Sequence, residues 1–277
     1  MKYTNKLAIA FLCSQKEYQD GNINHCLKYY FGLAASKKYQ FDLFFIFDQG
    51  DPEDYQDLLT HESLKYINKI HVHSLNLSDQ ENLYVRADHS YELYEEHGFP
   101  ALGLSSGPNN SFFQGLDFLF QNDYENFLIL ESDTKPVKYC WFDRLYKYCT
   151  EEDFLIAGSH YEGIVQMPEN CKWKGHLNGV AIYKNCDLTK ELLDASLSKI
   201  KQLVKEGIHD YFVNYDIGIY YTIVSSEENI NKYKPGYKDT KLISNMSLGI
   251  DSKLKESYIC AKNRDLVILH QKNRFLF

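Results

Sequence analysis

Three short runs in this chain are apolar almost from end to end. Residues 7–13 read LAIAFLC, residues 42–47 read DLFFIF and residues 127–130 read FLIL. A strand with one wet face alternates apolar and polar side chains, whereas a run without alternation is covered on both faces. Cover on both faces means helices packed above and below, and so parallel strands joined by crossover helices. The intervening segments agree. Residues 22–36 carry Ile23, Leu27, Tyr30 and Leu33 at helical spacing, residues 52–64 read as a short polar helix, and residues 67–75 give a further strand. Later, Pro108 can open a helix that runs to about Asn122 on Phe112, Leu116, Leu119 and Phe120. Helical patterns follow over residues 141–149, 188–206 and 215–224, with short strands over 153–157, 180–183 and 266–269. This order predicts an α/β fold with a mainly parallel, doubly wound central sheet. No repeat, low-complexity stretch or linker divides the 277 residues, so a single domain is expected.

Bulk properties remove several classes of function. Net charge is −8 and there is no long basic run, which argues against a nucleic-acid groove. The seven cysteines, at 13, 26, 140, 149, 171, 186 and 260, are odd in number and contain no C-x-x-C pair. That pattern points to a reduced, cytoplasmic protein, not to a disulfide framework or a zinc site. No apolar run has the length of a membrane span. The start is charged and then apolar, like a leader, but only residues 7–13 are apolar and no small-residue cleavage site follows. A first core strand is the better reading. Tyrosine is frequent, at 23 residues. Its ring and hydroxyl suit polar, ring-shaped ligands such as sugars, although base bias in a genome yields the same count.

Four places carry possible chemistry. Glu131 and Asp133 follow the FLIL run two residues apart. If strand geometry continues through them, both carboxylates point to one side. Such a pair at the carboxyl end of an α/β strand can hold a divalent cation against a phosphorylated ligand, or can simply begin a turn. Gly175-His176-Leu177-Asn178-Gly179 lies just before the strand over 180–183. Glycine there allows close backbone approach to a ligand, or forms an ordinary Asn-Gly turn. Asp216, in the run Asn214-Tyr215-Asp216, opens the helical stretch over 215–224. It can accept a proton from a substrate hydroxyl or cap the helix, and Asp210 competes for either role. His270 directly follows the LVIL run, with Lys272 and Arg274 beyond it. An imidazole nitrogen suits Mn²⁺ better than Mg²⁺.

Taken in chain order, these four pieces resemble the glycosyltransferases of GT-A fold, over roughly residues 7–274. The resemblance implies that Glu131-Ser132-Asp133 is the acid-x-acid motif holding Mn²⁺ or Mg²⁺ on a nucleotide-sugar diphosphate, with Asp133 the stronger ligand and the longer Glu131 acting on the metal, through water, or on the ribose instead. It implies that Asn178 and Gly179 line the donor sugar and that His270 completes the metal site. Lys272 would reach the diphosphate, and Cys13, Ser14 and Asp48 would contact base and ribose. Asp48 before Gly50 also reads as a turn former. Asp216, or Asp210, would be the acceptor-side carboxylate, the general base of an inverting enzyme. The halves would then be a nucleotide half over 1–135 and an acceptor half over 136–277. The implied reaction moves a hexosyl or pentosyl group, from a donor expected to be a UDP-sugar, to a hydroxyl of a glycan or other acceptor. Two other classes stay open: a sugar-phosphate nucleotidyltransferase and a non-catalytic carbohydrate-binding protein. The first lacks its Gly-rich basic signature here, since the segment after the first strand, CSQKEYQDG, has one glycine.

Overall fold

A computed structural model describes residues 1–32, 34–60, 66–84, 100–162, 175–209, 213–246 and 259–271. The first half of the chain supplies strands β1 (Lys2–Tyr3), β2 (Ala8–Cys13), β3 (Tyr39–Phe47), β4 (Ile67–Ser74), β5 (Asn126–Leu130) and β6 (Thr134–Pro136). The second supplies β7 (Ile156–Gly158), β8 (Tyr161–Glu162), β9 (Ile182–Lys184), β10 (Tyr237–Asp239), β11 (Ile243–Met246) and β12 (Ile268–Gln271). Between them run helices α1 (Gln15–Gln19), α2 (Asn22–Gly32), α3 (Ser106–Phe120), α4 (Trp141–Glu151), α5 (Asp187–Lys205), α6 (Tyr215–Ile223) and α7 (Glu227–Tyr233).

The uniformly apolar runs form the centre of the main sheet, whose order is β1-β3-β2-β5-β9-β7-β10 with β4 also paired to β3. Pairings among β2, β3, β4 and β5 are all parallel; β9 enters antiparallel between β5 and β7. Alternate side chains divide between two cores, as the lack of alternation requires. Ile9, Phe11, Leu43, Phe45, Leu128 and Leu130 pack with α2 and α4 residues such as Leu27, Tyr30, Trp141 and Phe142. Ala8, Ala10, Phe44, Ile46, Phe127 and Ile129 pack with Phe112 and Leu116 of α3, Leu192 and Ile200 of α5 and Ile219 of α6. The sheet is therefore doubly wound. Register pairs Cys13 with Phe47 and Phe11 with Leu130, so β2, β3 and β5 end at one edge. Ser14, Asp48 and Glu131 are the next residues in each case.

A second sheet, β6-β12-β11-β8, was not foreseen. Its strands are short and partly polar (TKP, ILHQ, ISNM and YE), so no apolar run announces them. Other expectations shift. The helix expected over 52–64 is a 3₁₀ stretch, Pro52–Thr60, broken at Tyr55, and residues 61–65 lie outside the described ones. His270 lies within β12, not after it.

Candidate active site

The acid pair converges through a turn. β5 stops at Leu130, and Ser132-Asp133 turn the chain into β6. The carbonyl of Glu131 accepts from the Thr134 N–H (3.1 Å) and the Thr134 hydroxyl (2.6 Å). Tyr30, buried beneath, donates its hydroxyl to Thr134 Oγ1 at 2.8 Å. The expected common side is reached, but by a hydrogen-bonded reversal and not by strand alternation.

The second sheet delivers the histidine. β12 runs antiparallel to β6 with His270 opposite Thr134, so the imidazole lands on the acid turn. His270 is 1% exposed. Its Nε2 lies 3.3 Å from Glu131 Oε2 and 3.0 Å from Asp133 Oδ1. Beyond this close approach to each other, both Nε2 and Oδ1 are buried without a hydrogen-bond partner. The other ring nitrogen is settled. Asn245, beside His270 in register on β11, donates its amide to Ser159 O (3.0 Å) and Ser159 Oγ (2.9 Å). Its oxygen is therefore the atom 2.9 Å from His270 Nδ1, which must donate to it. In the neutral ring, the Nε2 lone pair then points at two carboxylates. Burial opposes charge on this ring, yet Glu131 and then Asp133 outweigh it and lift its pKa to about 9. The two carboxylates thus favour positive charge at this place. Ligand atoms of Glu131, Asp133 and His270 lie within 4.8 Å of one another. Two carboxylate oxygens and one imidazole nitrogen, the nitrogen fixed by an amide behind it, suit Mn²⁺ or Mg²⁺.

On the nucleotide side, Ser14 caps α1. Its N–H and hydroxyl donate to Glu17 Oε2 at 2.8 and 3.0 Å, and the Glu17 N–H returns to Ser14 Oγ at 3.1 Å. The other Glu17 oxygen accepts from the Ser132 hydroxyl, which ties this loop to the acid turn. Asp48 is 7% exposed, and its two oxygens accept from the Gln15 N–H (2.8 Å) and the Asn82 amide (2.9 Å). The N-terminus of α1 thus faces two internal carboxylates. The Cys13 thiol is packed in the core, where burial first and Glu17 second raise its pKa.

The loop over 175–179 leans on α6. A Cβ at Gly175 would lie 2.2 Å from the Tyr220 hydroxyl, and one at Gly179 would lie 1.8 Å from the Tyr215 hydroxyl. The Asn178 N–H donates to Ser159 O at 3.1 Å, and the side chain is buried. His176 Nε2 stands 3.9 Å from Asp216 Oδ2, whose other oxygen accepts from the Ile217 N–H at 2.8 Å. Burial, Glu131 and Asp216 together raise the pKa of Tyr215, so both acids neighbour this phenol. Asp210, Lys272 and Arg274 lie outside the described residues. Glu17 and Asn245 were not singled out from sequence, and His176 and Tyr215 stood inside the quoted runs without a role of their own. Glu17 alone left a signal there, as the fourth residue of a Ser-x-x-Glu capping box.

No protein-family model matches this chain, and no curated protein does. Among solved structures it is similar to the crystal structure of mouse xyloside xylosyltransferase 1 in its apo form, at TM-score 0.55 and 14% identity, with all of both chains covered. At that identity the likeness is one of fold. Together with the parallel sheet and its flanking helices, it makes this chain a mixed α/β protein of GT-A-like fold.

Proposed function

We propose that this chain is a metal-dependent glycosyltransferase that moves a hexosyl or pentosyl group from a nucleotide-sugar, a UDP-sugar, to a hydroxyl of a glycan or other acceptor. The observation that carries the reading is the convergence of Glu131, Asp133 and His270, whose ligand atoms lie within 4.8 Å of one another, with His270 Nε2 and Asp133 Oδ1 buried and without a hydrogen-bond partner. The fold supports it, because the likeness to a xylosyltransferase runs the full length of the chain. Asp133, Glu131 and His270 would hold a divalent ion, which would supply charge stabilisation for a departing diphosphate.

The chain's own residues carry the rest. Residues 1–135 contribute the nucleotide half, with Ser14, Asp48 and the backbone at Cys13 beside base and ribose. Residues 136–277 contribute the acceptor half. Asn178 and Gly179 flank the donor sugar, and Lys272 reaches the diphosphate. Asp216 takes the acceptor proton if the anomeric centre inverts; if it is retained, Asp216 orients the acceptor hydroxyl. Asp210 is the substitute for that role. The cysteine pattern supports a reducing, cytoplasmic setting. Among the described residues no helix is long and apolar enough to cross a membrane.

The test is release of nucleoside diphosphate from a panel of sugar nucleotides, with and without Mn²⁺. Slow Mn²⁺-dependent release that disappears in Asp133→Asn supports the transferase. Pyrophosphate-dependent exchange instead identifies a nucleotidyltransferase. Sugar binding with neither reaction identifies a carbohydrate-binding protein.

A further inference from the structure

One side chain joins the 175–179 loop, helix α6 and the acid turn. Tyr215 is the first residue of α6. Its ring stacks on Phe112 of α3, with centroids 3.9 Å apart and planes 11° apart. Its hydroxyl ends 3.4 Å from Glu131 Oε1. To get there it crosses the backbone at Gly179, where a Cβ would fall 1.8 Å from the hydroxyl and 2.5 Å from Cζ. Gly179 does not have positive φ, unlike Gly21, Gly50, Gly103 and Gly207. Backbone freedom therefore does not account for this glycine, and the ring above it does. A phenol hydroxyl that faces a carboxylate oxygen is the donor of the pair.

We propose that Tyr215 is a positioning residue of the metal centre: its hydroxyl fixes Glu131 by Oε1, leaving Oε2 toward His270, and Gly179 is glycine so that this hydroxyl can pass. The inference rests on the metal-centre reading above. A ligating carboxylate is itself held by hydrogen bonds, and loss of such an outer partner typically weakens metal binding about 10–100-fold. A glycine kept for a tyrosine also differs from one kept for the donor sugar, because the two respond differently to removal of the ring.

The experiment titrates metal-free protein with Mn²⁺ and reads free Mn²⁺ by electron paramagnetic resonance, alongside the melting temperature without metal. Tyr215→Phe keeps the stacked ring and is expected to weaken Mn²⁺ binding about 10–100-fold. Its metal-free Tm should fall by about 3 °C or less, the scale of one lost hydrogen bond. Gly179→Ala should weaken Mn²⁺ binding in the wild-type background and add no further loss in Tyr215→Leu, where the obstructing ring atoms are gone. Unchanged Mn²⁺ affinity in Tyr215→Phe, with wild type binding normally, overturns the inference and leaves the metal centre standing. Equal losses from Gly179→Ala in both backgrounds overturn the account of the glycine. No Mn²⁺ uptake by wild type overturns the metal-centre reading and this inference with it.

Discussion

Metal should stabilise this protein by an amount that one residue controls. The ligand atoms of Glu131, Asp133 and His270 are gathered within 4.8 Å, and two of them lack hydrogen-bond partners. Little rearrangement is then needed to bind, so ordinary mass action applies. Mn²⁺ at 100 times its dissociation constant adds about 2.7 kcal/mol. Unfolding entropy of about 2.1 cal/mol/K per residue over 277 residues is about 580 cal/mol/K, so Tm should rise by about 5 °C. Asp133→Asn keeps the shape and exchanges a charged ligand for a neutral one. Losing a ligand should cost more than the about 10–100-fold typical of its outer partners, so at the same Mn²⁺ concentration the shift should fall below about 1 °C. Mg²⁺ should act more weakly than Mn²⁺, because one ligand is an imidazole. The assay is differential scanning calorimetry after dialysis against a chelator. Asp239→Asn, an exposed carboxylate on β10, serves as the charge control and should retain the full shift. The reasoning fails if Asp133→Asn and wild type gain equally from Mn²⁺, since the stabilisation would then arise elsewhere.

Three further outcomes follow from other residues. Asp216→Asn should lower turnover about 10²–10⁴-fold with donor affinity unchanged if Asp216 is the base; near-wild-type turnover, measured as nucleoside diphosphate release, would move the role to Asp210 or to a retaining path. Asn245→Leu leaves His270 Nδ1 without its acceptor, while the Ser159 carbonyl keeps the Asn178 N–H. It should cost about 1–3 kcal/mol of stability and about 10–100-fold in Mn²⁺ affinity, read by calorimetry and titration, whereas unchanged affinity would deny Asn245 any hold on the imidazole. Burial lowers the pKa values of His71 and His73 on β4 from the usual 6.5, although Asp42 pulls His71 the other way. The unfolded chain then binds protons that the folded one does not, so stability present above about pH 6.5 is lost as pH falls toward the folded values. His71→Gln/His73→Gln should lose less Tm than wild type between about pH 7 and pH 5.5, and equal losses would place the acid sensitivity in other groups.

The central sheet was legible because its signal is redundant. Each of β2, β3 and β5 repeats the same statement, apolar on both faces, and the helices between them carry their own spacing. The acid pair and His270 were legible for a related reason: each abuts an apolar run, so a strand end could be drawn beside it. What could not be drawn was the second sheet. β6, β8, β11 and β12 are two to four residues long, and Thr134, Asn245 and His270 among them make side-chain contacts that a periodicity count scores as noise. Asn245 shows the cost. In sequence it is a polar residue in ISNM with no partner in view; in the fold it is 1% exposed and fixes the tautomer of a histidine 25 positions away.

Gly179 marks a deeper limit, because there the structure adds a second reason to the one the sequence permits. A glycine beside a proposed ligand loop invites the argument that a ligand needs the room. The same absence of a side chain is demanded by Tyr215, whose hydroxyl would sit 1.8 Å from any Cβ. The two demands are indistinguishable in one sequence, since both are satisfied only by glycine and neither leaves a local trace. They separate once α6 is known to lie across the loop, with Phe112 fixing the ring from the far side. The acid turn behaves in the same way. Strand alternation and a hydrogen-bonded reversal both bring Glu131 and Asp133 to one side, but they make different claims about Thr134. In a continuing strand its hydroxyl would be free to vary. In the observed turn it donates to Glu131 O at 2.6 Å and accepts from Tyr30 at 2.8 Å, so the spacing of the two acids depends on a residue that is neither of them.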